Sequence, residues 1–347
     1  MIKVLIVDDS PTVREYMKHI IDSDKDLEVA GVAKDGVEAV ELVRLKHPDV
    51  VTMDIHMPRM DGYKATRKIM ELHPLPIVIV SASWNSKDIE KTFQAMQAGA
   101  VAAVKKPKGP GHPESKRMVS QVIETVKLMS EVKVVRRLAK YKRSDTTPVM
   151  TPQKALMPAP SKVDIVAVGA STGGPPVIQT ILSSLKPDFP ASILIVQHIA
   201  SGFLHGFMEW IGKTTCFPVR LPAHGDYVKR GHVYFAPDGF HMGITANCKI
   251  VLSKSCPENG LKPSVSYLFR SIAKNFGRRA VGVLLTGMGK DGSCELKMMK
   301  ERGCVTIAQD KESSIVHGMP GEAIKIGAAN HILSPKDIAA YLNMITS

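Results

Sequence analysis

The sequence has little cysteine and few aromatic residues. Its five cysteines, Cys216, Cys248, Cys256, Cys294 and Cys304, all lie in the second half, are odd in number and never stand at C-x-x-C spacing. Neither a disulfide framework nor a thiolate metal cluster is expected, and the cysteines read as reduced packing residues. Aromatics make up 5% of the chain, too few for the base-stacking platforms of single-strand nucleic-acid readers. No apolar run approaches the roughly 18 residues of a membrane span. The N-terminus, a short apolar run ending in Asp8 and Asp9, lacks the length and the small-residue cleavage site of a secretory signal. Membrane insertion is not expected, and the expected compartment is the cytoplasm. No internal repeat of fixed period is present.

What remains is an ordinary globular composition, 44% hydrophobic and 23% charged over 347 residues, a length that invites two domains. The formal net charge of +13 raises nucleic acid, anionic membrane or acidic protein as partners. Much of the excess lies between 127 and 162, where Lys133, Arg136, Arg137, Lys140, Lys142 and Arg143 meet few acids. A solvated charge run accounts for that stretch as well as a partner does.

Apolar, β-rich runs alternate with helical patterns from the first residue. Strands are predicted at 2–7, 28–33, 50–53, 77–80 and 101–104, with helices at 11–22, 37–46, 63–72 and 89–97 between them. Ser10 before Pro11 sets an N-cap followed by proline at the first helical position. Such alternation means a parallel sheet covered on both faces. A closing helix is expected from 118 to about 142, followed by a Pro-rich linker over 146–161. A second alternation then begins, with strands at 165–168, 192–196, 280–285, 305–308 and 331–333 and helices near 177–185, 265–276, 295–302 and 335–343. Short runs at 232–235, 242–245 and 250–253, separated by Gly and Asn, read as an antiparallel addition at one sheet edge. The division is 1–129, then a helical extension and linker at 130–161, then 162–347.

Asp8 and Asp9 end the first predicted strand and Asp54 follows the third. In an open parallel sheet the carboxyl ends of the strands share one edge, so these acids converge. Packed carboxylates repel unless a hard cation sits between them, and Mg²⁺ with oxygen ligands fits. Ser81 and Lys106 add a hydroxyl and an ammonium at that edge, the set an acyl phosphate needs. Val7-Asp8-Asp9-Ser10, Met53-Asp54, Met57-Pro58, Met60-Asp61-Gly62, Val80-Ser81-Ala82 and Lys106-Pro107 resemble a response-regulator receiver domain. The resemblance implies a five-stranded parallel, flavodoxin-like fold, Asp54 as phosphoacceptor, Asp8 and Asp9 as metal-side acids, and a histidine kinase as phosphoryl donor. Many receivers carry an aromatic switch residue three positions before the lysine; here that position holds Ala103.

In the second half, Gly169-Ala170-Ser171-Thr172-Gly173-Gly174 follows a buried strand and opens a helix. The turn suits either a nucleophilic serine or an anion-binding loop. His198 closes the next strand, and Asp291 lies in Thr286-Gly287-Met288-Gly289-Lys290-Asp291-Gly292, where by itself it reads as a helix N-cap. Together they place a serine, an imidazole and a carboxylate on one sheet edge, the set used for nucleophilic acyl transfer.

Gly169 to Gly174, Gln197-His198, Val233-Tyr234-Phe235-Ala236-Pro237, Lys262-Pro263-Ser264-Val265, Leu285 to Gly292 and His317-Gly318-Met319-Pro320 closely resemble the CheB family of chemotaxis protein-glutamate methylesterases. The resemblance spans about 162–342, and a receiver in front is that family's usual arrangement. It implies a phosphorylation-controlled serine esterase on a doubly wound, mostly parallel α/β domain with an antiparallel edge. The substrates it implies are glutamate methyl esters on cytoplasmic helices of methyl-accepting chemoreceptors, with deamidation of glutamines there. Ser171, His198 and Asp291 then act as nucleophile, base and orienting acid, with backbone N–H groups of Thr172 and Met288 as oxyanion donors and no metal in the esterase step. Glu295 stands where relatives commonly have a small residue, and Gly321 where an arginine is frequent. Two other readings address single features. A nucleic-acid-binding regulator would use the net charge, but no helix-turn-helix of suitable size follows the receiver. A nucleotide-binding oxidoreductase would use the 169–174 loop, but its spacing is not G-x-G-x-x-G.

Overall fold

Strand and helix alternate because short, almost continuously apolar runs, buried on every residue at Val50–Met53, Ile77–Ser81, Ile165–Ala170, Ser192–Gln197 and Ala280–Leu284, give way to stretches with an apolar period of about 3.6 residues. The computed structural model describes residues 1–81, 86–109, 111–132, 134, 163–200 and 202–346, with 86–89 as backbone only. The first unit runs β1 (Ile2–Val7), α1 (Pro11–Asp22), β2 (Leu27–Ala33), α2 (Gly36–Lys46), β3 (Val50–Met53), α3 (Gly62–Leu72), β4 (Ile77–Ser81), α4 (Ser86–Ala98), β5 (Ala102–Lys105) and α5 (Ser115–Ser130). Its strands pair in parallel in the order β2-β1-β3-β4-β5. Ser10 accepts from the Val13 N–H with Pro11 in the first helical turn, so α1 starts where the cap signal placed it. The closing helix does not run on toward 142 as expected: α5 ends at Ser130 with Glu131 as its C-cap, and Val132 and Val134 are not helical. The rest of that stretch and the linker over 146–161 lie outside the described residues.

The second unit begins with β6 (Ile165–Ala170), α6 (Gly174–Ser184), β7 (Ser192–Gln197), α7 (Leu204–Thr214), β8 (Val219–Arg220), β9 (Val233–Phe235), β10 (His241–Ile244) and β11 (Ile250–Ser253). It continues with α8 (Val265–Asn275), β12 (Ala280–Leu284), α9 (Ser293–Glu301), β13 (Val305–Gln309), α10 (Met319–Lys325), β14 (His331–Leu333) and α11 (Pro335–Ile345). Among the described residues seven strands form one sheet in the order β14-β13-β12-β6-β7-β9-β8, every pair parallel. The expected antiparallel element is the hairpin β10–β11. The run at 232–235 differs: as β9 it pairs in parallel with β7. Short strands separated by Gly and Asn look like hairpins, but α7 and β8 supply the crossover that a parallel neighbour requires. The hairpin forms its own two-stranded sheet, and its Met242 and Ile244 share an apolar core with Leu268, Phe269 and Ile272 of α8.

β6 is the switch point of this sheet: β7 lies on one side of it and β12 on the other. At such a point neighbouring loops leave in opposite directions and open a crevice at the carboxyl ends. The first unit packs at that edge through α4. Phe93 stacks on Trp210 of α7, ring centroids 5.1 Å apart, and tilts against Phe207 at 5.1 Å. Glu90 pairs with Lys213 at 3.2 Å. All three rings are buried, so the contact removes large aromatic area from water.

Candidate active site

The turn after β6 is held by its backbone. The Ser171 N–H donates to the Thr286 carbonyl at 3.0 Å, the Gly174 N–H donates to the Ser171 carbonyl at 2.9 Å, and the His198 N–H donates to the Ala170 carbonyl at 2.9 Å. Gln197 Nε2 donates to the carbonyls of both Ser171 and His198 at 2.8 Å, tying the loops after β6 and β7 together. Glycine is required at 287, since a Cβ there would lie 2.7 Å from Ser171 Cβ. Gly173 is in the left-handed region at φ +77°, which lets the chain turn directly into α6.

Ser171, Thr172 and His198 face one cavity of about 160 Å³ that Phe93, Met96 and Met129 of the first unit close from the other side. Asp291 stands behind the imidazole, its Oδ2 3.0 Å from His198 Nε2, which leaves Nδ1 as the nitrogen not turned to the carboxylate. Three hydrogen-bond donors converge on that carboxylate: Ser264 Oγ at 2.9 Å and the Ser266 N–H at 3.1 Å on Oδ1, and the Val265 N–H at 2.7 Å on Oδ2. Burial pushes this carboxyl up, but the close approach and charge attraction of His198 and the hydrogen bonds from Ser266 and Val265 outweigh it and hold Asp291 at about 2. Asp291 is therefore a cap, as its neighbourhood in sequence suggests, but for α8 rather than for the helix that follows it. Met288 lies on the same loop with 53% of its surface exposed, outside the cavity that Ser171 and His198 line. Gln197, Ser264, Ser266 and Thr286 were not singled out as site residues from the sequence. Their signal is a polar side chain inside an otherwise apolar, buried run.

At the edge of the first sheet, carboxylate oxygens of Asp8, Asp9 and Asp54 all lie within 4.8 Å of one another. Lys106 Nζ is 2.6 Å from Asp8 and 3.3 Å from Asp54, and the Lys106 backbone N–H donates to the Ser81 carbonyl at 2.8 Å. Burial, together with the neighbouring Asp8 carboxylate, pushes Asp54 up to about 6 against the pull of Lys106. Burial works against the Lys106 ammonium, yet Asp54 and Asp8 raise it above the usual lysine range. An oxygen-only donor set with surplus negative charge suits a hard divalent cation.

Comparison with known proteins agrees with this geometry. A family model described as CheB methylesterase matches residues 166–342, and one described as response regulator receiver domain matches 4–114. The chain is 52% identical over 346 residues to protein-glutamate methylesterase/protein-glutamine glutaminase 4 of Geobacter metallireducens, covering 99% of both chains. It is also 52% identical to protein-glutamate methylesterase/protein-glutamine glutaminase 1 of Syntrophus aciditrophicus, over 99% of this chain and 97% of the other. The chain belongs to the CheB methylesterase family. Among solved structures, the crystal structure of the Thermotoga maritima CheB methylesterase catalytic domain is similar at 36% identity with a TM-score of 0.51, covering 53% of this chain and all of that one.

Within that family the three departures have definite places. Ala103, on β5, lines the cavity shared by the two units. Glu295, in the first turn of α9, turns inward to accept from Ser266 Oγ at 2.7 Å and pairs with Arg270 at 3.4 Å. A side chain at Gly321 would begin 2.9 Å from His317 Cδ2, so the imidazole occupies the space over that glycine. No described helix is long and apolar enough to cross a membrane.

Proposed function

We propose that the chain hydrolyses methyl esters of glutamate side chains on the cytoplasmic helices of chemoreceptors and deamidates glutamines there, under control of phosphorylation at Asp54. The observation that carries the reading is the meeting of Ser171, His198 and Asp291 at the switch point, with the carboxylate 3.0 Å from the imidazole. Ser171 Oγ attacks the ester carbonyl and passes its proton to His198, through Nδ1 because Nε2 is engaged by Asp291. The N–H of Thr172, a residue lining the cavity beside Ser171, receives the oxyanion and contributes about 3 kcal/mol to transition-state stabilisation; Met288, expected as a second donor, lies outside that cavity. The imidazolium returns the proton to the departing methoxide, which leaves as methanol. Water then attacks the glutamyl ester with His198 again as base, and Ser171 is regenerated; with glutamine the leaving group is ammonia. Methanol release from a methylated receptor fragment, with and without a phosphodonor, tests the reading; no release under either condition would sink it.

Asp54 is the proposed phosphoacceptor, a histidine kinase the donor, and Asp8, Asp9 and Asp54 the carboxylates that would hold Mg²⁺, with Ser81 and Lys106 beside the phosphoryl group. Mg²⁺, when bound, neutralises the charge of phosphoryl oxygens. Asp54→Asn is expected to abolish labelling by a phosphodonor and to leave the unphosphorylated esterase rate unchanged; undiminished labelling would move the acceptor elsewhere.

Control by occlusion is supported by the placement of Phe93 and Met129 over the cavity that Ser171 lines. Phosphorylation needs to shift the docking equilibrium by only about 1–3 kcal/mol to change activity roughly five- to hundredfold. Truncating Phe93 weakens the same interface from within. Phe93→Ala is expected to raise methanol release by the unphosphorylated chain roughly tenfold or more, and a rate equal to that of the parent would argue for control by recruitment instead.

A further inference from the structure

Three hydrogen bonds meet the Asp291 carboxylate, and the one that helix geometry does not supply comes from the hydroxyl of Ser264. A serine at the residue before a helix ordinarily accepts from the second or third N–H of that helix. Ser264 holds that position at α8, yet its side chain makes no such cap. Its hydroxyl instead donates to Asp291 Oδ1 at 2.9 Å, while Asp291 accepts the N–H groups of Val265 and Ser266. The capping role has passed to the aspartate, and the serine is freed to hold the aspartate. Ser264 has no exposed surface and Asp291 only 3%, so water does not compete for the bond.

A second layer holds Ser264 itself. Its N–H donates to His241 Nδ1 at 3.3 Å, and Nε2–H of that ring donates to the Cys256 carbonyl at 3.1 Å. The ring is fully buried and stacks on Tyr267, centroids 4.9 Å apart. The hairpin β10–β11, which adds no strand to the large sheet, thus pins the start of α8. Ser266 cannot replace Ser264, because its hydroxyl already donates to Glu295 at 2.7 Å and accepts the Gly292 N–H at 3.0 Å.

The geometry points to Ser264 as a positioning residue of the esterase: its hydroxyl fixes the rotation of the Asp291 carboxylate and, through it, the imidazole of His198. This rests on the reading of Ser171, His198 and Asp291 as the acyl-transfer residues. Without the hydroxyl, Oδ1 keeps only the longer bond from Ser266, and Oδ2 loses its fixed aim at Nε2.

A double-mutant cycle on the full chain tests it, with methanol release from a methylated receptor fragment as the readout. Ser264→Ala is expected to lower kcat roughly ten- to hundredfold, as loss of a hydrogen bond to a charged group does, with KM little changed and a smaller fall in melting temperature than Asp291→Ala shows. Ser264→Thr, which keeps the hydroxyl, should restore most of the rate. In an Asp291→Asn background, Ser264→Ala should cost nothing further, because the hydroxyl acts only through the carboxylate. Full kcat in Ser264→Ala, or an equal loss in both backgrounds, overturns the proposal. Ser171→Ala assayed beside them separates the two failures: turnover retained there removes the acyl-transfer reading, whereas a dead Ser171→Ala with a normal Ser264→Ala removes the positioning role alone.

Discussion

Ser171→Ala is expected to lower methanol release by about 10⁴- to 10⁶-fold, the range seen when a serine nucleophile is removed and only binding and oxyanion stabilisation remain. Stability should hardly move, for a reason visible in the turn. The hydrogen bonds that hold position 171 use its N–H and its carbonyl, to Thr286, Gly174 and Gln197, and alanine keeps them all. Alanine also keeps the Cβ that packs against Gly287. A melting curve superimposable on the parent's, with no turnover, is the expected pair of results. Turnover within tenfold of the parent would remove Ser171 from the nucleophile's place.

Asp291→Ala is expected to strike rate and stability together. Three donors from Ser264, Val265 and Ser266 would lose their acceptor in a buried place, and α8 would lose its cap. Unsatisfied buried donors cost about 1–3 kcal/mol each, with partial relaxation, so a loss of about 3 kcal/mol in unfolding free energy is expected. The rate should fall by about 10⁴-fold, because His198 loses the group that orients it. Asp291→Asn keeps the volume and one acceptor oxygen, so its stability loss should be the smaller while the rate still falls. Chemical denaturation of the two variants measures the difference; equal stability of Asp291→Ala and the parent would mean that the carboxylate does not cap α8. The pH dependence carries the same sign. Asp291 is held at about 2 against an ordinary 3.8, so its contribution is complete above pH 3.8 and is lost as the pH falls through about 2.

Much of this was legible in the sequence, because the signals involved are local. Strand and helix periods, the Ser10-Pro11 cap and the glycine-rich turns are set by residues within one or two turns of chain, and they placed Ser171 and His198 at the carboxyl ends of neighbouring strands and Asp8, Asp9 and Asp54 at one edge. Those placements follow from alternation alone, since parallel strands must point the same way. Only the tertiary structure decided which partners meet. Asp291 carries an N-cap signal that would suit the helix after it, yet its acceptors serve α8, which starts at Val265. An N-cap signal states that a carboxylate seeks free N–H groups and does not say whose. The run at 232–235 looked like a hairpin strand, and its parallel pairing with β7 depended on the crossover through α7 and β8. The choice of Nε2 of His198 for Asp291, and the seating of Phe93 on Trp210, are likewise contacts between segments far apart in sequence. No local period encodes them, because burial tells a side chain to leave water and leaves the neighbour to be chosen by the packing of the whole.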